Sequence, residues 1–307
     1  MIRVYVCLFD YSIEAVELLK TKFDVTVRSE EQRPNEDELC QLIKEYDCLI
    51  IGAREKLTDT VYEFAKDSEK IIGTLSIGID HISSPFLSDP KIKIIACNDS
   101  NVISVAEHTF ALMLCLTKKI LISNTAVLDN TGRKGLGGLP KDLFEHTLGV
   151  IGAGRIGTNV IKYASCFGMK ILCYTKNPQK HSDLLKYNVR FVALDYLLSN
   201  SELITLHLPL NDGTRKILNS NNLPLLKNNS YLINTSRMSL IDNKFLAEML
   251  SLNKIGGYAV DIDNEEREVI KSFEGLNVIF TPHTAGVTID AINRMDIEIA
   301  KKLIRDV

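Results

Sequence analysis

Three short stretches in the second half of the chain hold residue types that could do chemistry together. They are Asn234-Thr235-Ser236-Arg237, Asp261 through Glu266, and Thr281-Pro282-His283, and each closes an apolar run that reads as a strand. The planar fork of an arginine grips a carboxylate through two parallel charge-assisted bonds. A histidine gives or takes a proton near neutral pH, and a carboxylate beside it would fix its tautomer and raise its pKa. An anchor, a proton donor and a group to orient the donor are the parts that hydride transfer to a 2-oxo acid needs. Singly, each has a plainer reading. Arg237 could be a surface charge, Glu265, Glu266 and Glu268 a solvated acidic loop, and His283 a structural histidine. His81, His108, His146 and His181 read as structural. No His/Cys/Asp/Glu spacing suggests a metal site, and no GxSxG elbow supports a serine hydrolase.

Hydride transfer also needs a nucleotide, and the stretch from Thr147 to Lys176 could hold one. The apolar run Leu148 to Ile151 leads into Gly152-Ala153-Gly154-Arg155-Ile156-Gly157. A helical pattern through Val160, Ile161, Ala164 and Phe167 follows, and a second strand, Lys170 to Tyr174, closes a βαβ unit. Gly152 would permit the tight turn, Gly154 the approach of a pyrophosphate, and Gly157 close helix packing. The free N–H groups at the helix start would face the anion. An acid at the end of the second strand usually takes the ribose hydroxyls of NAD, but here the chain has Thr175 and Lys176. Threonine removes the repulsion that a carboxylate would exert on a 2′-phosphate, and Lys176 and Lys180 add cations nearby. The expectation is NADP favoured over NAD. His207, in Leu206-His207-Leu208-Pro209, reads as a strand-end residue near this cofactor.

The elements around these stretches alternate strand and helix. Strands are expected at Val4–Leu8, Val25–Val27, Cys48–Ile51, Ile71–Thr74 and Ile92–Ala96, with helices at Ile13–Lys20, Glu36–Glu45 and Thr60–Ala65. That rhythm predicts a parallel sheet covered by helices. Ser104-Val105-Ala106-Glu107 has capping-box spacing. It predicts one helix from there to about Ile122, apolar nearly all round and therefore buried on several sides or against a second subunit. Gly132 to Pro140 reads as a loop or arm. Further strands are expected at Leu203–Leu208, Tyr231–Asn234, Gly257–Asp261 and Val278–Phe280. Helices are expected at Lys244–Leu252 and from Asp290 to Val307.

Composition narrows the setting. The 307 residues are 45% hydrophobic and 24% charged, which suits a globular protein of two domains. A net charge of -3 gives no basic field for nucleic acid or an acidic membrane. No apolar run approaches the roughly 18 residues of a membrane span, and the amino terminus does not read as a signal peptide. The seven cysteines form no CxxC pair and read as small buried hydrophobes in a reducing, cytoplasmic setting.

Taken in order, the GxGxxG, His207-Leu-Pro209, Asn234-Thr-Ser-Arg237, Asp261, Glu266 and Thr281-Pro-His283-Thr-Ala-Gly286 resemble the D-isomer-specific 2-hydroxyacid dehydrogenases. Gly78-Ile-Asp80-His-Ile82 and Ser104-Val-Ala-Glu-His108 agree. The resemblance implies an α/β protein of two Rossmann-like or flavodoxin-like domains with parallel sheets. Residues 1–98 and 286–307 would form the substrate domain, with a nucleotide domain, 99–285, inserted in it. It implies Arg237 as carboxylate anchor, His283 as acid/base and Glu266 as its partner. Arg54, Ile77, Gly78 and Arg237 would bind substrate. Gly152, Gly154, Arg155, Ile156, Gly157, Thr175, Lys176, His207, Pro209, Thr235, Ser236, Asp261 and Gly286 would surround the cofactor. The family pattern has glycine where this chain has Met238 and proline where it has Arg267. The implied activity is reduction of a small 2-oxo acid to the D-2-hydroxy acid, or the reverse, by a homodimer. The alternative is a nucleotide-sensing, corepressor-like protein of the same fold.

Overall fold

The computed structural model describes residues 1–76, 78–262 and 267–307. Ile77, Glu265 and Glu266 lie outside the described residues. The chain divides into two compact units, Met1–Asn101 with Thr288–Val307, and Val102–Val287.

The first unit holds a five-stranded parallel sheet, β1 (Arg3–Val6), β2 (Asp24–Val27), β3 (Cys48–Ile51), β4 (Lys70–Thr74) and β5 (Ile92–Ala96), in the order β2-β1-β3-β4-β5. All four residues of β3 are buried, as a strand covered on both faces must be. Helix Glu36–Glu45 starts at a full capping box: the Asn35 side chain accepts from Glu38 N while the Glu38 side chain accepts from Asn35 N. The last helix, Ile289–Asp306, buries Ala291, Met295, Ile299 and Leu303 at fourfold spacing, which lays one stripe on the sheet. Gly73 on β4 permits that contact, since a Cβ there would come within 3.0 Å of the Ile299 side chain.

The second unit holds seven parallel strands. They are β6 (Thr147–Ile151), β7 (Lys170–Tyr174), β8 (Val189–Phe191), β9 (Leu203–Leu206), β10 (Tyr231–Asn234), β11 (Gly257–Asp261) and β12 (Val278–Thr281). Their order, β12-β11-β10-β9-β6-β7-β8, reverses direction at the β6–β9 neighbours. Ligands of open α/β sheets bind beyond the carboxyl ends of the strands at such a switch point. Apolar cores cover both faces: Val150, Val160, Ile161 and Ala164 on one, Leu197, Ile204, Leu232 and Val260 on the other.

Several local expectations are corrected. The single helix from Ser104 to Ile122 is two, Val102–Thr117 and Ile120–Leu128, bent by 52°. The break falls at Lys119, whose φ of 54° is left-handed and whose ammonium reaches the Leu136 carbonyl at 2.7 Å. Ser104 is not a cap. The helix begins two residues earlier, where Val102 is already buried, and Ser104 is buried in its first turn. Within the supposed loop, Gly132–Leu136 winds as a 3-10 helix. Cysteines 7, 40, 48, 97 and 173 are buried as expected, but Cys166 is exposed and Cys115 half-buried. Burial pushes the thiols of Cys48 and Cys173 up to about 12. Among the described residues no single helix is long and apolar enough to cross a membrane.

Candidate active site

The glycine turn after β6 shows what each glycine is for. Gly152 has φ 104°, and a Cβ on it would sit 2.4 Å from the His207 carbonyl oxygen. A Cβ on Gly157 would lie 2.0 Å from the Gly152 carbonyl oxygen, so only glycine lets the helix Arg155–Cys166 come that close. Around Gly154 the opposite holds: a Cβ would meet nothing within 4 Å. The turn is thus filled at two glycines and open at the third, directly before the amino terminus of a 12-residue helix. An open, glycine-lined helix start is the cradle that a dinucleotide pyrophosphate requires. Arg155 there is exposed and Ile156 half-buried.

His207 lies beside the turn because β9 continues the ladder with β6, His207 N donating to the Ile151 carbonyl at 2.8 Å. Its ring is buried, with Nε2 3.0 Å from the Thr205 hydroxyl, and desolvation pushes its pKa down to about 3. Burial thus favours its neutral form. Pro209 is exposed, and its carbonyl accepts from Thr214 Oγ at 2.6 Å. At the end of β7, Thr175 is half-buried while Lys176 and Lys180 are exposed. The Lys176 ammonium lies 3.6 Å from where a Cβ on Gly213 would stand, and so over the turn that follows β9.

Arg237 emerges from a turn that its own sequence builds. Buried Asn234, at the end of β10, accepts from Ser236 N at 3.0 Å and donates Nδ2–H to the Arg237 carbonyl at 2.9 Å. Ser236 Oγ donates to the Leu206 carbonyl at 2.9 Å, tying the turn to β9, and Thr235 Oγ1 lies 3.0 Å from Thr109 Oγ1. The guanidinium of Arg237 is half-buried and donates through Nη1 to the Ser236 carbonyl. Met238 turns into the core at 1% exposure.

Asp261, at the end of β11, is 3% exposed. Its Oδ1 accepts from Thr281 Oγ1 at 2.5 Å and from Thr284 N at 2.9 Å, and its Oδ2 from Ala285 N at 2.9 Å. The segment from Thr281 to Ala285 is therefore wrapped around one carboxylate, and His283 stands in the middle of it. His283 N donates to the Thr281 carbonyl at 3.0 Å, and its φ of 52° is left-handed. A non-glycine residue there costs on the order of 1–3 kcal/mol, held only when its surroundings impose it. His108 Nε2, from helix Val102–Thr117, lies 3.0 Å from Thr281 Oγ1 and 4.0 Å from Asp261 Oδ1. Gly286, next along, is half-buried.

Register draws these residues to one edge. Ile151 pairs with Leu206, Leu206 with Asn234, Asn234 with Val260 and Asp261 with Thr281. The glycine turn, His207, Arg237, Asp261 and His283 therefore follow the carboxyl ends of five neighbouring strands. Two features of this edge are not visible in the sequence: the engagement of Asp261 by the His283 segment, and the contact of His108. The first unit is described by itself. Gly78 is half-buried, its carbonyl accepting from Ser76 Oγ at 2.5 Å. Arg54 is exposed, whereas Arg33 is held by the buried Glu55 carboxylate at 2.6 Å.

Comparison with known proteins shows the family. The family model described as "D-isomer specific 2-hydroxyacid dehydrogenase, NAD binding domain" matches residues 110–285. The hydroxypyruvate reductase of Thermotoga maritima is 33% identical over 300 residues, covering 95% of this chain and 94% of its own length. The solved D-lactate dehydrogenase of Aquifex aeolicus, complexed with NAD and lactic acid, is 27% identical. It aligns with a TM-score of 0.82 over 99% of this chain and 96% of its own. An acyclic imino acid reductase in complex with NADPH and D-Arg is 26% identical, with a TM-score of 0.83 over 99% of this chain and 97% of its own. By sequence, fold and the form of its nucleotide turn, the chain belongs to the D-isomer specific 2-hydroxyacid dehydrogenases, nicotinamide-dependent oxidoreductases built on the Rossmann plan.

Proposed function

We propose that this enzyme reduces a small 2-oxo acid to its D-2-hydroxy acid, with His283 as proton donor and Arg237 as carboxylate anchor. The observation that carries the reading is the strand-end row in the second unit. A half-buried arginine and a histidine fixed in a left-handed turn follow strands of the same sheet edge as the glycine turn. The bound nicotinamide would supply the hydride. Arg237 would orient the substrate through its fork and draw charge from the carbonyl. His283 would protonate the carbonyl oxygen as the hydride arrives, and would take that proton back in the oxidative direction. By motif position, Glu266 would serve as the partner of His283. Asp261 also braces the His283 segment, accepting from Thr281 Oγ1, Thr284 N and Ala285 N.

The substrate is proposed to be of the hydroxypyruvate, glyoxylate or pyruvate class, as its relatives' names indicate. The cofactor is proposed to be NADPH in preference to NADH. Thr175 carries no charge to repel a 2′-phosphate, and Lys176 follows it directly, with its ammonium over the turn after β9. One or two partly solvated charge-assisted contacts, each about 1.5–3 kcal/mol, would shift preference about ten- to hundredfold. A homodimer is proposed from helix Ile120–Leu128, which leaves Ile120, Leu121, Val127 and Leu128 exposed.

The test is kcat/KM on a panel of 2-oxo acids with each cofactor, repeated with Thr175→Asp. The expected result is turnover with a D-configured product, faster with NADPH, and a shift toward NADH in the variant. Nucleotide binding without turnover on any 2-oxo acid would instead favour a sensor. Turnover with NADH preferred, or no shift in the variant, would remove the cofactor assignment.

A further inference from the structure

We infer that His108 is a positioning residue for the reaction, acting through Thr281 and Asp261 to hold the turn that carries His283. The inference rests on the reading of His283 as the acid/base, and it adds a residue of another element to that site. The argument is one of hydrogen-bond direction. Thr281 Oγ1 has one proton, and it goes to the Asp261 carboxylate, which can only accept. Thr281 Oγ1 must therefore accept from His108, 3.0 Å away, so Nε2 of His108 carries a proton. The result is a directed chain: His108 Nε2–H to Thr281 Oγ1–H to Asp261 Oδ1. At its far end the same carboxylate takes the amides of Thr284 and Ala285.

The chain has a clear mechanical consequence. Pro282 has no N–H, and the His283 N–H is spent on the Thr281 carbonyl. Beside the backbone bond from Ile262 N to the Thr281 carbonyl, three further contacts of the turn, Thr281 Oγ1, Thr284 N and Ala285 N, converge on Asp261. His108 donates to the first of these from a helix whose next turn is packed in the core, with Leu112 and Met113 buried. Polarised hydrogen-bond chains of this kind strengthen one another in a buried setting, and Asp261 is 3% exposed. The left-handed His283 is the conformation such a clasp would be needed to keep.

The experiment uses the full chain and four variants. His108→Phe and Thr281→Val keep volume but remove the donor and the hydroxyl. His108→Gln and Thr281→Ser retain them. Amide hydrogen exchange at Thr284 and Ala285 reads the turn itself, without need of turnover. It should quicken at least tenfold in the first pair and return toward wild type in the second. In the same samples kcat should fall about ten- to hundredfold in the first pair, the scale that a displacement of about 1 Å imposes on a reacting group. Nucleotide affinity, read by the fluorescence of bound NADPH, should stay within about twofold. His108→Phe/Thr281→Val should be no worse than the worse single variant, because both cut one chain. Wild-type exchange and kcat in His108→Phe would overturn the inference, as would losses that multiply in the double variant. Equal losses in kcat, KM and nucleotide affinity, unrescued by His108→Gln, would reduce His108 to a packing residue. A wild-type enzyme that turns over no 2-oxo acid would instead refute the functional reading.

Discussion

Arg237 and His283 owe their proposed roles to motif position, and for Arg237 the geometry of the side chain decides what a substitution should do. Lysine keeps the charge but loses the two parallel donors. Arg237→Lys is therefore expected to lower kcat/KM for the 2-oxo acid by about ten- to hundredfold, raising KM and lowering kcat together. Nucleotide affinity should hold. Steady-state kinetics within about twofold of wild type would show that Arg237 is not the anchor. Asp261 was less legible. Its position at a strand end suggests a cofactor contact, but the sequence cannot say which donors a carboxylate will find, and here they come from Thr281, Thr284 and Ala285. His108 reads as structural for the same reason. Its partner is 173 residues away, and no periodicity reports such a contact. In the first unit Arg54 is exposed, and Arg33 is the arginine fixed by a buried carboxylate, that of Glu55.

At the scale of elements, the glycine turn yields a prediction that separates folding from binding. Gly157→Ala should destabilise the chain by several kcal/mol or block folding, because its methyl would meet the Gly152 carbonyl at 2.0 Å. Gly154→Ala should fold with a melting temperature close to wild type, since nothing stands within 4 Å. It should nevertheless weaken nucleotide binding, by filling the space where the pyrophosphate would lie. Thermal melts and nucleotide titration distinguish the two, and equal melting temperatures for both variants would contradict the assignment. The central strands were legible because burial on both faces leaves an apolar run, as in β3. The three-residue β8 and the seven-residue helix Leu194–Asn200 were not, being too short for periodicity to rise above composition. The break at Lys119 escaped notice because apolar residues continue on both sides of it. The left-handed lysine that turns the chain carries no glycine to announce it.

At the scale of the molecule, the alternating pattern announced parallel sheets and the family resemblance an inserted nucleotide domain, while the reversal of strand order at β6–β9 is seen only in the structure. Assembly is where an apolar helix misleads. Val102–Thr117 is apolar mostly because it is buried within its own unit, with Ile103 the large apolar residue it leaves exposed, whereas Ile120–Leu128 leaves four exposed: Ile120, Leu121, Val127 and Leu128. Light scattering at micromolar concentration is expected to give about twice the chain mass of 34.4 kDa. Leu128→Glu should then shift the mass toward the monomer, and a monomeric wild type would count against the dimer. The central claim is tested most directly by kcat for His283→Ala, measured on the 2-oxo acid that the wild type turns over best. General acid catalysis contributes about a hundred- to ten-thousandfold, so kcat should fall by at least a hundredfold while NADPH still binds with near wild-type affinity. A folded His283→Ala enzyme with near-normal kcat would contradict the account.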